Sequence, residues 1–168
     1  PFHLRVPCSA KNLPYLQDFE EGTMPTCWSQ EHVSGNHDWI FQQGGEYYPS
    51  LAHSGSFNAA FIHQQNGSSS RLISPMMNLT NTVNPQLSFW HAQGAWQGDQ
   101  DQLWVYYRTA PSESWNLLAL YTESILDWTH RVIDLPNPSA TYQIAFEAID
   151  YYGFGVTLDD IEFISEVV

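Results

Sequence analysis

Apolar and polar positions alternate with a period of two over most of the chain beyond residue 57. Ile144, Phe146 and Ala148 set against Gln143, Ala145 and Glu147 give one clearly inward face. Leu103, Val105 and Tyr107 against Trp104, Tyr106 and Arg108 give two heavy faces, the pattern of a strand covered on both sides. Eight strands are predicted: Asn58–His63, Arg71–Ile73, Gln86–Ala92, Gln102–Arg108, Trp115–Tyr121, Thr129–Asp134, Tyr142–Ile149 and Val156–Ile164. Each is bounded by clusters of Gly, Pro, Asn or Ser. No long amphipathic helix and no internal repeat is visible. Many short strands broken by loops imply an all-β fold, a two-sheet antiparallel β-sandwich of jelly-roll type. Residues 1–56 carry isolated aromatics, both cysteines and little sustained alternation, and are predicted to be loop-rich.

At 168 residues the chain has the length of one domain, and 43 % hydrophobic and 15 % aromatic residues exclude a disordered chain. Five basic against eighteen acidic residues leave a net charge of −13, which excludes nucleic acid as a partner and disfavours anionic membrane surfaces. No apolar run approaches the roughly 20 residues a membrane helix needs, so membrane insertion is not expected. The sequence starts at Pro1 without a charged-then-apolar leader, so a signal peptide is expected to lie outside it. Low Lys content and surplus carboxylates suit an extracellular surface and a divalent cation such as calcium. Cys8 and Cys27 are candidates for a disulfide; two free buried thiols are the alternative.

One acidic pair stands inside a strand pattern, in Leu158-Asp159-Asp160-Ile161. Strict alternation puts Asp159 on the face of Ile161 and Phe163, and Asp160 on that of Glu162. An inward carboxylate needs hydrogen bonds, a basic partner or a metal. With five basic residues, a salt bridge is poorly supplied; a metal, a hydrogen-bonded structural Asp and exposure at the strand end stay open.

Several short motifs occur in a fixed order. They are Asp18-Phe19-Glu20 with Gly22, Cys27-Trp28, Asn36-His37-Asp38-Trp39, His53-Ser54-Gly55, Arg71-Leu72-Ile73-Ser74-Pro75, Leu87-Ser88-Phe89-Trp90, Asp101-Gln102-Leu103, Ile144-Ala145-Phe146-Glu147 and Leu158-Asp159-Asp160-Ile161. This order, from about Leu13 to Phe163, resembles the MAM domain and its bacterial relatives, the cleaved-adhesin and choice-of-anchor modules of secreted Bacteroidetes-type proteins. The sequence departs from MAM domains in placing Cys8 well before Asp18-Phe19-Glu20 and in lacking their later cysteine pair. The resemblance implies a jelly-roll domain over residues 13–168, preceded by an extension over 1–12, that is secreted or held on a bacterial cell surface. It implies a noncatalytic adhesion or interaction module that binds protein or glycan or docks adjacent domains of the same polypeptide. It also implies a structural calcium held by Glu20, Asn36 or Asp38, Ser54 and Asp159.

The competing function is a carbohydrate-binding module of a secreted hydrolase. Trp96, Trp115, Trp128, Tyr151 and Tyr152, with Tyr47 and Tyr48, fall at predicted loop positions where they could stack on sugar rings or form a protein interface. Zinc is disfavoured, because the seven histidines show no metal-binding spacing. Neither a defined acidic pair nor a Gly-flanked nucleophilic Ser argues for catalysis.

Overall fold

The computed structural model describes residues 7–166. Its strands are β1 (Tyr15–Gln17), β2 (Ser29–Ser34), β3 (Ile40–Gln42), β4 (Asn58–Phe61), β5 (Ser69–Ile73), β6 (Gln86–Gln93), β7 (Gln102–Arg108), β8 (Asn116–Tyr121), β9 (Ile125–Asp134), β10 (Gln143–Ile149) and β11 (Val156–Ile164). They form two antiparallel sheets, one in the order β3-β4-β11-β6-β9 with β1 also on β11, the other in the order β2-β5-β10-β7-β8. The predicted two-sheet sandwich is the observed fold, with every predicted strand present, Gln102–Arg108 and Val156–Ile164 with the predicted ends and the others with an end shifted by a few residues. Phe89 of β6 and Phe146 of β10 meet edge to face at 5.3 Å between the sheets. Leu72, Leu87, Leu103, Val105, Ile144, Leu158 and Phe163 complete a fully buried core around them.

Strand β11 has two neighbours in succession along one side. Val156 to Leu158 pair with β4, and Ile161 to Phe163 pair with β1. Between them the register against β6 slips by one residue, so Asp159 opposes Trp90 while Glu162 opposes Ser88. This β-bulge overturns the parity argument. Leu158 and Ile161, three apart, both enter the core. Asp159 is fully buried as expected, but it shares the outer face of the sheet with Trp90. Asp160 occupies the left-handed region (φ 46°), which Asp tolerates better than bulkier residues.

The first third is loop-rich, yet it contributes three strands that alternation does not reveal. β1 and β3 are three residues long, and β2 is an edge strand mostly exposed on both faces. Part of the predicted extension is structural. Lys11 bridges to Met77, and Cys8 is bonded to Cys27, closing a loop of 19 residues, a crosslink of a size that contributes about 3 kcal/mol. Residues 1–6 of that extension and 167–168 lie outside the described residues.

Candidate functional site

Two arrangements of functional residues emerge, one at the switch of neighbours along β11 and one at the loop end of the sandwich. At the first, the loop over residues 51–57 closes the gap between the ends of β1 and β4. Glu20, just after β1, accepts the backbone N–H groups of Ser56 (2.9 Å) and Phe57 (3.1 Å). Asp159 accepts those of Ser54 (3.2 Å) and Asp160 (2.8 Å). Asp160 receives the Ser54 hydroxyl at 2.8 Å and faces His53 Nδ1 at 2.6 Å. His53 in turn stacks on Trp90, 3.9 Å between centroids. Gly55 allows this closure: its φ is +60°, and a Cβ there would lie 2.3 Å from Glu20 Oε1. Burial, reinforced by the charge of Asp160, pushes the Asp159 carboxyl up to about 7 against the pull of the N–H donors.

Three of the predicted metal residues, Glu20, Ser54 and Asp159, are thus brought onto one loop. Asn36 and Asp38 are not. Both are exposed, and Asp38 faces His32 of β2 at 2.5 Å. Among the described residues no three His, Cys, Asp or Glu side chains converge as a metal-binding group. What remains is a set of oxygens on Glu20, Asp159 and the 51–57 loop, with a buried carboxylate that has no basic side chain against it. That chemistry fits a hard cation.

The second arrangement is a cavity of about 150 Å³ lined by Glu46, Tyr47, His63, Trp96, Tyr152, Gly153 and Phe154. Its walls are fixed by two buried carboxylates. Asp101, at the start of β7, accepts N–H groups of Tyr151 (2.7 Å), Gly153 (3.0 Å) and Gly155 (2.8 Å). Asp150 accepts those of Gln64 (2.9 Å), Gln65 (3.2 Å) and Tyr152 (3.0 Å), and its carboxylate lies 2.9 Å from His63 Nδ1. Gly153 sits so close to Asp101 that a Cβ would fall 2.7 Å from its Oδ2. Phe154 donates its N–H to Gly94 at 3.0 Å and accepts that of Glu46 at 3.2 Å, tying three loops together. The rings of Tyr47 and Tyr48 meet Phe154 edge-on at 6.0 and 5.3 Å.

Of the predicted ligand aromatics, Trp96 and Tyr152 line this cavity and Tyr151 stands exposed on the same loop as Tyr152. Trp115 and Trp128 lie elsewhere. Trp115 is covered by the Arg108 guanidinium at 4.1 Å, and Trp128 donates to the Leu51 carbonyl at 2.9 Å beside His53. Trp115 immediately precedes β8 and Trp128 lies within β9 rather than in a loop, and each finds a partner already present in the fold. Glu46, His63 and Phe154 were not singled out as ligand contacts. The Asp150-Tyr151-Tyr152-Gly153-Phe154-Gly155 run, with Gly153 between two aromatics and Gly155 after them, is the signal that a close-packed loop was required there.

Fold and site together define an all-β sandwich domain with a preformed, aromatic loop-end cavity. A family model described as MAM domain, meprin/A5/mu, matches residues 17–167, and the chain belongs to that family. No curated protein matches it in sequence. Among solved structures it is similar to the K1 cleaved adhesin domain of Lys-gingipain from Porphyromonas gingivalis W83, with TM-score 0.70 and 20% identity over 92% of this chain and 99% of that one. It is also similar to TmCBM61 in complex with beta-1,4-galactotriose, with TM-score 0.65 and 14% identity over 89% of this chain and 94% of that chain.

 The CBM22-1 xylan-binding domain from Paenibacillus barcinonensis Xyn10C is similar at TM-score 0.55 and 14% identity, over 95% of this chain and 97% of that chain. At these identities what is shared is the fold.

Proposed function

We propose that this domain is a noncatalytic extracellular binding module, secreted or displayed on a bacterial surface, that takes its ligand at the loop-end cavity. The observation that carries this reading is the cavity itself: aromatic walls held in place before any ligand arrives by the N–H groups gathered on Asp101 and Asp150. Similarity to an adhesin domain supports a protein or glycan ligand, or docking of neighbouring domains. A second reading, a carbohydrate-binding module of a secreted hydrolase, is favoured by the exposed rings of Trp96 and Tyr152 and by similarity to a domain solved with a galactotriose. The test is retention of the domain on glycan and extracellular-protein arrays beside its Trp96→Ala variant. Binding that weakens about tenfold or more in the variant is expected. Equal binding by both proteins places the ligand elsewhere and sinks the reading.

A structural calcium at the 51–57 loop belongs to the same proposal. Glu20 and Asp159 would hold it, and its charge would offset that of the buried Asp159. With calcium about a hundredfold above its Kd, removal by EDTA is expected to lower Tm by roughly 5–10 °C. An unchanged Tm, with no calcium found by metal analysis, would mean that backbone N–H groups alone close the loop.

A further inference from the structure

We propose that the loop-end cavity selects an alkylammonium group, an inference that rests on reading the domain as a binding module. Four loops surround the cavity, residues 44–50, 62–67, 94–101 and 150–155. They carry Glu46, Asp99, Asp101 and Asp150 and not one Lys or Arg. Asp101 and Asp150 are occupied by backbone N–H groups, and Asp150 also holds His63 at Nδ1. Glu46 is exposed and has no basic partner among the described residues, so its charge is left for a ligand.

The walls suit that charge. Tyr47, Trp96, Tyr152 and Phe154 present aromatic rings around one small space, and ring faces attract cations through their quadrupole. The hydrogen-bonding groups of the lining are the Glu46 carboxylate, the hydroxyls of Tyr47 and Tyr152 and the ring nitrogens of His63 and Trp96, with no Asn, Gln, Lys or Arg side chain among them. At about 150 Å³ the space is smaller than the roughly 300–1,000 Å³ of drug-sized sites, and is the size of a head group. The net charge of −13 would draw a cation from solution and repel an anion. The same alkylammonium chemistry occurs in choline and in a methylated lysine side chain.

The experiment titrates the whole domain with choline, with its neutral carbon isostere 3,3-dimethyl-1-butanol, with a trimethyl-lysine peptide and its unmodified counterpart, and with galactose, following heat and tryptophan fluorescence. Choline or the trimethyl-lysine peptide is expected to bind at least about tenfold more tightly than the neutral isostere. Trp96→Ala is expected to lose about tenfold, and Glu46→Gln several-fold, with unchanged Tm because both residues are exposed. Preference for the peptide assigns the source to a protein, and equal affinity for choline assigns it to a free head group; both support the proposal. Isostere binding as tight as choline would overturn it. Galactose binding that depends on Trp96, without cation binding, would overturn it and leave the binding-module reading intact. Binding of none of these probes would overturn the inference and count against the cavity as the binding site.

Discussion

Replacing Asp101 with Ala is expected to cost roughly 3–5 kcal/mol of stability and to abolish ligand capture at the loop-end cavity. Asp101 is buried and accepts three backbone N–H groups from the 150–155 loop. Burial pushes its carboxyl up, opposed by those N–H bonds. Hydrogen bonds to a charged group contribute about 1.5–3 kcal/mol each, and buried donors left without a partner cost about 1–3 kcal/mol each. Water entering the space vacated by the side chain would recover part of the loss. Asp101→Asn keeps an acceptor for Tyr151 and Gly153 but turns an NH2 toward the Gly155 N–H, so a smaller loss is expected. Urea denaturation measures both variants, and amide exchange at Tyr151, Gly153 and Gly155 should accelerate in step with the loss. Slow exchange at all three amides in Asp101→Ala would show that the loop is held by something else.

Strand β10 was legible because Ile144, Phe146 and Ala148 alternate toward the core, although its other face, read as the polar one, is buried as well. β2 was not, since an edge strand exposed on both faces has no reason to alternate. The burial of Asp159 was legible for the wrong reason. Alternation assumes an unbroken register, and the bulge at Asp159 and Asp160 moves the acid to the outer face, where the 51–57 loop covers it. Asp38 illustrates a further limit: it stands beside Trp39 in sequence but turns back to His32 of β2, six residues earlier, a pairing that residue types alone do not specify. The aromatic cavity was half legible. Tyr47, Trp96 and Tyr152 were visible as surplus aromatics, but their convergence depends on contacts among loops far apart in the chain.

The acidic composition acquires a structural meaning from these sites. With five basic residues against eighteen acids, most carboxylates have no ion-pair partner to turn to. Glu20, Asp101, Asp150 and Asp159 instead collect backbone N–H groups from irregular loops, which have no strand partners to satisfy them. Acids thereby hold in place the segments that regular secondary structure does not, including the walls of the proposed binding site.

Acidification is expected to destabilise the domain through His91, by roughly 2–3 kcal/mol between about pH 7.5 and about pH 4.5. His91 is fully buried on β6, and its pKa is lowered to about 3, first by burial and then by the charge of Arg131. Arg131 donates Nε–H to His91 Nε2 at 2.9 Å, a bond only an unprotonated Nε2 can accept. In the unfolded chain the imidazole binds its proton near pH 6.5. Between those values the unfolded state holds more protons, so stability rises with pH at up to about 1.4 kcal/mol per unit and is fully present above the unfolded pKa. Carboxylates with raised pKa values, Asp101, Glu147 and Asp159, act in the opposite sense, gaining stability as they take up protons on acidification. The His91 contribution is therefore read as a difference between wild type and His91→Gln, whose amide oxygen can still accept from Arg131 without titrating. The stability advantage of wild type should shrink by that amount toward about pH 4.5; a difference that stays constant across the range would show that His91 is not held neutral by the fold.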